Sequence, residues 1–163
     1  MKNVYATVGL NIVRSDLRYT DIRKLLHEWG LFHEAQEVVW VVTYDPITTL
    51  RSVVEVARGN QFEVEVDVSN VMQAVWASGT NRFQLMHNHP SGNVQPTELD
   101  LTLTNQVNLS AAMGSMFLED HIIIGPPDQW YSMVKAGVFE PSPKIKQLTA
   151  VRGPAVWLHK EER

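Results

Sequence analysis

The residues with the clearest chemical potential are two histidines, His87 and His89, which end an apolar segment of the chain. Side chains alternate along a β-strand, so residues two apart point to the same side, where both imidazoles can reach one ion. Asp100 follows a short loop rich in proline and glycine, in the first turn of the predicted next helix. From there its carboxylate can fold back towards the histidines. Two nitrogen ligands and one oxygen ligand, with a fourth position left to water, are typical of catalytic zinc.

Each part of this pattern also has a purely structural explanation. An isolated His-x-His is more often a pair of polar strand-end residues than a metal site. Thr97 is a good helix N-cap, and an acid such as Asp100 is favoured in a first helical turn by the helix dipole. That explanation does not account for the histidine pair one short loop upstream, so we favour the metal site. Zinc lowers the pKa of its bound water to about 7, which provides a hydroxide nucleophile at neutral pH.

The composition limits what else the chain can do. Its 163 residues, 44% hydrophobic and 20% charged, suit one packed domain. The absence of cysteine excludes disulfides, thiol nucleophiles and cysteine-ligated metals, so any metal must be held by His, Asp or Glu. No apolar run approaches the roughly 18 residues of a membrane-spanning helix, and the N-terminus lacks the layout of a secretory signal. We therefore expect a cytoplasmic protein without a membrane partner.

The charge of the chain is unevenly distributed. Residues 141–163 carry five basic and two acidic residues, a net charge of +3, while residues 1–140 carry nine basic and sixteen acidic residues, a net charge of −7. An acidic body does not attract nucleic acid phosphates, so a protein or a peptide is the expected partner. We expect a single domain over 1–140 and a basic C-terminal tail over 141–163. The tail is either a solvated extension or a binding arm.

Hydrophobic periodicity and turn residues predict alternating strands and helices. The predicted strands are 4–12, 38–44, 51–57, 61–66, 82–87, 117–124 and 131–134, and the predicted helices are 21–30, 69–78 and 97–113. Segments 51–57 and 61–66 are expected to form a hairpin, Ser69 is expected to cap the second helix, and Trp76 is expected in the core. The elements lack a strict βαβ rhythm, which favours an α/β fold with a mixed sheet between helices, in three layers.

The spacing His87-x-His89, seven further residues, Thr97, two more and Asp100 resembles the zinc motif of the JAB/MPN (JAMM) metalloprotease family. The sequence His-Asn-His-Pro-Ser-Gly at 87–92, with Asp-His-Ile-Ile-Ile-Gly at 120–125, resembles sequences of the family's RadC-like branch. The resemblance implies a cytidine-deaminase-like three-layer fold. It also implies one Zn²⁺ per chain, held by His87, His89 and Asp100.

The resemblance further implies two catalytic residues. Glu37, directly before the apolar strand 38–44, matches the family's general acid/base, and Glu34 is the competing acid. Burial next to an apolar strand raises the pKa of such a carboxyl towards the range of a proton shuttle. Thr97 stands where the family usually has a serine that stabilises the oxyanion, so the hydroxyl is kept with an added methyl group. His121 either orients a metal ligand from behind or belongs to a structural hydrogen-bonded pair.

These observations favour a zinc hydrolase that cleaves a peptide or isopeptide bond, with ubiquitin-like proteins among the candidate substrates. The alternative is an inactive interaction module of the same fold, since the family also contains scaffolds. A DNA-repair association ranks last because the body of the chain is acidic. Homo-oligomerisation is left open.

Overall fold

The computed structural model describes residues 22–45, 50–59, 64–126 and 129–141. Within these ranges it contains five strands, three α-helices and a 3-10 turn, Leu31–His33. The elements are α1 Ile22–Glu28, β1 Val38–Tyr44, β2 Leu50–Arg58, α2 Val68–Ala77, β3 Arg82–Asn88, α3 Glu98–Met113, β4 Phe117–Gly125 and β5 Gln129–Ser132. The predicted strand 4–12 and the tail from 142 onwards lie outside the described residues.

The five strands form one mixed sheet in the order β2-β1-β3-β4-β5. The β3/β4 pair is parallel and the other three pairs are antiparallel. All seven residues of β1 are buried, as expected for a central strand that is apolar on both faces. The predicted α/β fold with a mixed sheet is therefore confirmed.

The two faces of the sheet carry separate hydrophobic clusters. On one face, Val39 and Val41 of β1 pack with residues of α2 and α3. On the other face, Trp40 and Val42 pack with residues of α1 and the 3-10 turn. This alternation follows from the period of two along a strand. It assigns every odd-numbered residue of β1 and β3 to the side of α2 and α3.

Two local predictions are wrong. The described part of the expected strand 61–66, residues 64–66, has no strand structure. Instead, β2 pairs with β1 over the whole length of β1, in an antiparallel register that runs from Val38 opposite Arg58 to Tyr44 opposite Leu50. The cap of α2 is Asp67 rather than Ser69, because the Asp67 carboxylate accepts the Ser69 backbone N–H at 2.8 Å. Asp67 therefore satisfies a backbone N–H that would otherwise be unpaired at the helix start.

The buried side of α3 also differs from the simple apolar pattern. The expected helix is present and ends at Gly114, but its buried residues include two polar ones, Asp100 and Thr104. Leu99 is 67% exposed. Trp76, expected in the core, is 63% exposed on α2. The first half of α3 therefore turns polar groups, as well as the partly buried Leu103, towards the sheet at the end where β3 carries its histidines.

The last strand, β5, begins and ends two residues before the predicted segment 131–134. Ser132 ends it because its hydroxyl turns to the buried Asp120 carboxylate at 2.5 Å. Asp120 also accepts the backbone N–H of Val134 at 3.1 Å, which holds the chain in a turn. No described helix is long and apolar enough to cross a membrane.

Candidate metal centre

Four side chains meet at the end of β3, on the side of the sheet that faces α3. Glu37, His87, His89 and Asp100 each offer one donor atom, and these atoms all lie within 4.8 Å of one another. The two histidines and the aspartate are buried, and Glu37 is half-buried. The structure therefore brings together the three predicted ligands and the predicted general acid/base.

The pairing of β1 with β3 explains why Glu37 is part of this group. Val39 lies opposite His87 in the antiparallel register. Glu37 precedes Val39 by two residues, so it is on the same side of the sheet and reaches the level of His89. Its negative charge acts on the His89 imidazole. The competing Glu34 is turned away, since its carboxylate pairs with Arg58 Nη1 at 3.0 Å.

Asp100 reaches the site from the start of α3. Its Oδ2 accepts hydrogen bonds from the Thr97 backbone N–H and from the Thr97 hydroxyl, both at 2.7 Å. In return, the Thr97 hydroxyl oxygen accepts the Asp100 backbone N–H at 3.2 Å. This reciprocal capping box fixes the carboxylate at the helix N-terminus. The same carboxylate faces both imidazoles. Asp100 is therefore both part of a helix cap and a candidate metal ligand.

The loop between His89 and α3 sets the orientation of the His89 ring. The Nδ1 of His89 lies 2.6 Å from the Asn93 carbonyl oxygen, which can only accept, so Nδ1 carries a hydrogen. The loop turns back through Gly92, whose φ of 80° is strained for any residue with a side chain. In the neutral ring the Nε2 lone pair then points into the site.

The distances between donor atoms fit a zinc ion. The Nε2 atoms of His87 and His89 are 2.9 Å apart. Asp100 Oδ1 lies 3.0 Å from His87 Nε2, and Asp100 Oδ2 lies 3.3 Å from His89 Nε2. Atoms bound to one tetrahedral zinc at 2.0–2.1 Å are about 3.3 Å apart. Two imidazoles and a carboxylate at this spacing form a donor set suited to Zn²⁺.

The acid–base state of the metal-free site follows from burial and from these contacts. Burial by itself lowers the pKa of His89, but hydrogen bonds to the Asp100 carboxylate and the Asn93 carbonyl outweigh it and raise the net pKa. Burial by itself raises the pKa of Asp100, but hydrogen bonds from His87 and His89 hold it well below its usual range. These contacts therefore stabilise the protonated form of His89 and the ionised form of Asp100, so a proton competes with a metal ion there.

The residue between the two histidines supports the site from the opposite face of β3. The Asn88 side-chain oxygen accepts the Val38 backbone N–H at 2.9 Å. Its amide group donates to the carbonyl oxygens of Glu34 at 3.2 Å and Gln36 at 2.8 Å. Asn88 therefore fixes the backbone on both sides of Glu37.

The sequence predictions did not include Asn88, and they left the role of His121 open. The structure places His121 directly behind His87, with a nitrogen of each ring 2.8 Å apart. Thr104, which contacts His121, was also not singled out. Strand alternation could have drawn attention to Asn88, because a polar residue between two inward-facing histidines must enter the opposite, apolar face. Contacts between β3, β4 and α3 have no comparable sequence signal.

A cleft of about 660 Å³ opens over the four converging side chains. Its apolar walls include Val64 and Val66 on one side and Leu99 and Leu103 of α3 on the other. A second cavity of about 600 Å³ lies on the other side of Pro90 and is lined by Phe32 and His33, among others. Pro90 lines both spaces. The two spaces therefore adjoin each other at Pro90.

Comparison with known proteins agrees with this geometry. Residues 18–138 match the model of the RadC-like JAB domain. Among curated relatives, a UPF0758 protein of Porphyromonas gingivalis is 33% identical over 103 residues, which is 63% of this chain and 45% of the relative. A UPF0758 protein of Cyanothece sp. is 35% identical over 95 residues, which is 58% of this chain and 39% of the relative.

The matched part of the chain spans less than half the length of these relatives. The family model, in contrast, covers most of the chain, including all four converging side chains and the residues behind them. The predicted resemblance is confirmed: this chain belongs to the family of RadC-like JAB domains.

Proposed function

We propose that this chain is a zinc-dependent hydrolase that cleaves a peptide or isopeptide bond. The observation that carries the proposal is the convergence of Glu37, His87, His89 and Asp100 within 4.8 Å. His87, His89 and Asp100 would hold one zinc ion per chain. When bound, zinc would act as a Lewis acid and would lower the pKa of a bound water, so that a hydroxide is available at neutral pH.

Glu37 handles protons in this proposal. It is half-buried and lies beside the ligands rather than among solvated surface acids. Its carboxylate would take a proton from the attacking water and deliver it to the leaving amine. Such a positioned general acid/base contributes about 10²–10⁴-fold to a rate.

Thr97 has a less direct part in this proposal than its sequence position implied. Its hydroxyl hydrogen goes to Asp100 Oδ2 at 2.7 Å, so the hydroxyl holds the ligand in the structure. The role of Thr97 as an oxyanion donor stays a prediction.

The lining of the cleft supports a polypeptide substrate. Glu37, Glu65 and Asp100 line the cleft, and no Lys or Arg is among the described residues that do so. Nucleic acid phosphates would be repelled there. An extended peptide can instead place apolar side chains against Leu99 and Leu103, of which Leu99 is largely exposed.

The test uses the zinc-loaded full chain and a panel of unfolded polypeptides, peptides and ubiquitin-type conjugates. We expect cleavage that a chelator abolishes, with Glu37→Gln slower by about 10²–10⁴-fold. Glu34→Gln is the matched control, because it makes the same change at an acid paired with Arg58 outside the metal centre. Equal cleavage by wild type and Glu37→Gln, or no cleavage across the panel, would contradict the proposal.

A further inference from the structure

A buried histidine outside the proposed ligand set lies directly behind one of the ligands. His121 of β4 is fully buried. Its Nε2 lies 2.8 Å from His87 Nδ1, and the two ring planes are tilted by 57°. The parallel β3/β4 register, with Leu85 opposite His121 and His87 opposite Ile123, puts both histidines on the same face of the sheet. His121 therefore contacts the nitrogen of His87 that points away from the metal centre.

The other ring nitrogen of His121 is connected to Asp100 through a residue of α3. Its Nδ1 lies 2.6 Å from the hydroxyl oxygen of Thr104, which is buried one helical turn after Asp100. The Thr104 hydroxyl in turn lies 2.5 Å from the Asp100 backbone carbonyl oxygen. The chain of contacts therefore begins at one proposed ligand, His87, and ends at another, Asp100.

The Asp100 carbonyl oxygen, at the end of this series of contacts, determines the direction of each hydrogen bond in it. A carbonyl oxygen only accepts, so the Thr104 hydroxyl gives its single hydrogen to Asp100. The alternative acceptor, Met133 Sδ at 3.5 Å, is farther away and weaker. Thr104 must then accept from His121 Nδ1, which leaves the Nε2 lone pair of neutral His121 to accept from His87 Nδ1.

The consequence for His87 concerns its tautomer. A neutral imidazole carries one hydrogen, on either Nδ1 or Nε2. With one hydrogen fixed on Nδ1, the neutral His87 ring has its lone pair on Nε2, which lies 3.0 Å from Asp100 Oδ1. A metal ion bound there would take the place of the Nε2 hydrogen that bonds Asp100 in the metal-free site. The other tautomer would direct an N–H at the ion and could not coordinate it.

We propose that His121 and Thr104 are positioning residues that hold His87 in its metal-binding tautomer and so set the zinc affinity of the site. The proposal rests on the metal centre proposed above but not on the hydrolytic reaction. Outer contacts of this kind fix the orientation and the basicity of a ligating imidazole, and their loss costs about 10–100-fold in metal affinity. This effect is measurable without a substrate.

Thr104 allows a clean test, because valine removes its hydroxyl at nearly constant volume and serine retains it. The zinc dissociation constant is measured by competition with a chelator of known affinity, and the absorption spectrum of the cobalt-loaded chain reports ligand geometry. We expect Thr104→Val to bind zinc about 10–100-fold more weakly, with Thr104→Ser close to wild type. Unfolding of the metal-free variants verifies that each one is folded.

Thr102→Val is the matched control on the same helix. The Thr102 hydroxyl donates to the Glu98 carbonyl at 2.9 Å, the same bond to the preceding turn that Thr104 makes to Asp100, but it is exposed and is not part of the series of contacts that joins His87 to Asp100. We expect its zinc affinity to be unchanged. The control therefore separates the loss of a helix hydrogen bond from the loss of the contact with His121.

His121 is tested by graded replacement. His121→Gln keeps an amide oxygen that can accept from His87, and His121→Phe keeps the bulk without an acceptor. We expect the phenylalanine variant to bind zinc more weakly than the glutamine variant. Adding Thr104→Val to His121→Phe should cause little further loss, because both substitutions break the same chain of contacts.

Three results would overturn the proposal. A folded Thr104→Val chain that binds zinc as wild type does would show that the tautomer of His87 is held in another way. Equal losses in Thr104→Val and Thr104→Ser would show a packing effect. A wild-type chain that binds no zinc would remove the metal centre itself, whereas absence of hydrolysis alone leaves these affinities, and the proposal, intact.

Discussion

The Asp100 carboxylate accepts the Thr97 hydroxyl, and the Thr97 hydroxyl oxygen accepts the Asp100 backbone N–H, so the capping box of α3 also holds one part of the candidate metal centre. Asp100 Oδ2 receives both Thr97 hydrogen bonds, while Oδ1 faces His87 at 3.0 Å. The start of the helix therefore fixes the position of a proposed ligand. Loss of the cap should therefore lower both the stability of the fold and the affinity for a metal ion.

We expect Thr97→Ala to lower the free energy of unfolding by about 1 kcal/mol, because a helix cap is lost. The same variant should bind zinc more weakly, since Asp100 loses the hydroxyl that orients it. Thr97→Ser retains both hydrogen bonds and should restore both properties. Urea unfolding and chelator competition measure the two effects, and an alanine variant with unchanged stability would contradict this account of the cap.

Asn88 gives a second prediction, which concerns the backbone around Glu37. Asn88→Asp keeps the acceptor for the Val38 N–H but loses the donors to the Glu34 and Gln36 carbonyls. Asn88 is buried and its bonds to these carbonyls are partly buried, so we expect their loss to lower the free energy of unfolding by about 2–3 kcal/mol.

The same Asn88→Asp chain should be slow in the cleavage assay while its zinc affinity stays near wild type, because Glu37 is displaced and the histidines are not. The control is Asn81→Asp, since Asn81 is an exposed asparagine whose side-chain amide donates to the Ser115 carbonyl at 3.2 Å. Equal stability of the two asparagine variants would show that Asn88 does not fix this backbone.

The effect of pH on the metal-free chain is the third prediction. The lowered pKa of Asp100 contributes stability that is present above its unfolded pKa of about 3.9 and is lost as the pH falls below it. The raised pKa of His89 contributes stability that is present below its unfolded pKa of about 6.5 and is lost as the pH rises through the higher folded value.

The contribution of the Asp100 and His89 pair to the stability of the metal-free chain should therefore be largest between these limits. In Asp100→Asn, both the acid and the alkaline loss should be smaller, because the charge pair between the two residues is gone. Thermal unfolding in chelator across the pH range measures this. A wild-type profile that matches the Asp100→Asn profile would be inconsistent with a charge pair at the site.

Zinc itself gives the fourth prediction. An ion that binds only the folded chain stabilises it by about 2.7 kcal/mol at a free concentration one hundred times its dissociation constant. We expect added zinc to raise the melting temperature of the wild type and a chelator to reverse the rise. His87→Ala should lose the response, and His33→Ala, at an exposed histidine outside the proposed ligand set, should keep it. A response that survives in His87→Ala would place the zinc elsewhere.

Much of the framework could be predicted from local patterns. The apolar run at 38–44 and the Thr97 and Gly114 boundaries of the last helix match β1 and α3 in the structure. Local patterns failed where tertiary packing decides: β2 pairs with β1 rather than with the described residues 64–66, and Trp76 is exposed on α2 rather than buried in the core. The β-propensity of a segment describes how well it fits a strand. Which strand it pairs with depends on the surface that the whole fold can bury.

The sequence by itself determined which side chains could bind a metal, because strand alternation places His87 and His89 on one side and helix capping places Asp100 in the first turn of α3. Only the tertiary structure decided between Glu37 and Glu34, since the β1/β3 register carries Glu37 to the histidines and Arg58 holds Glu34 away. It also decided the contact between His121 Nε2 and His87 Nδ1, at 2.8 Å. These relationships join residues from separate strands and helices, and their distances are set by how the elements pack rather than by their spacing along the chain.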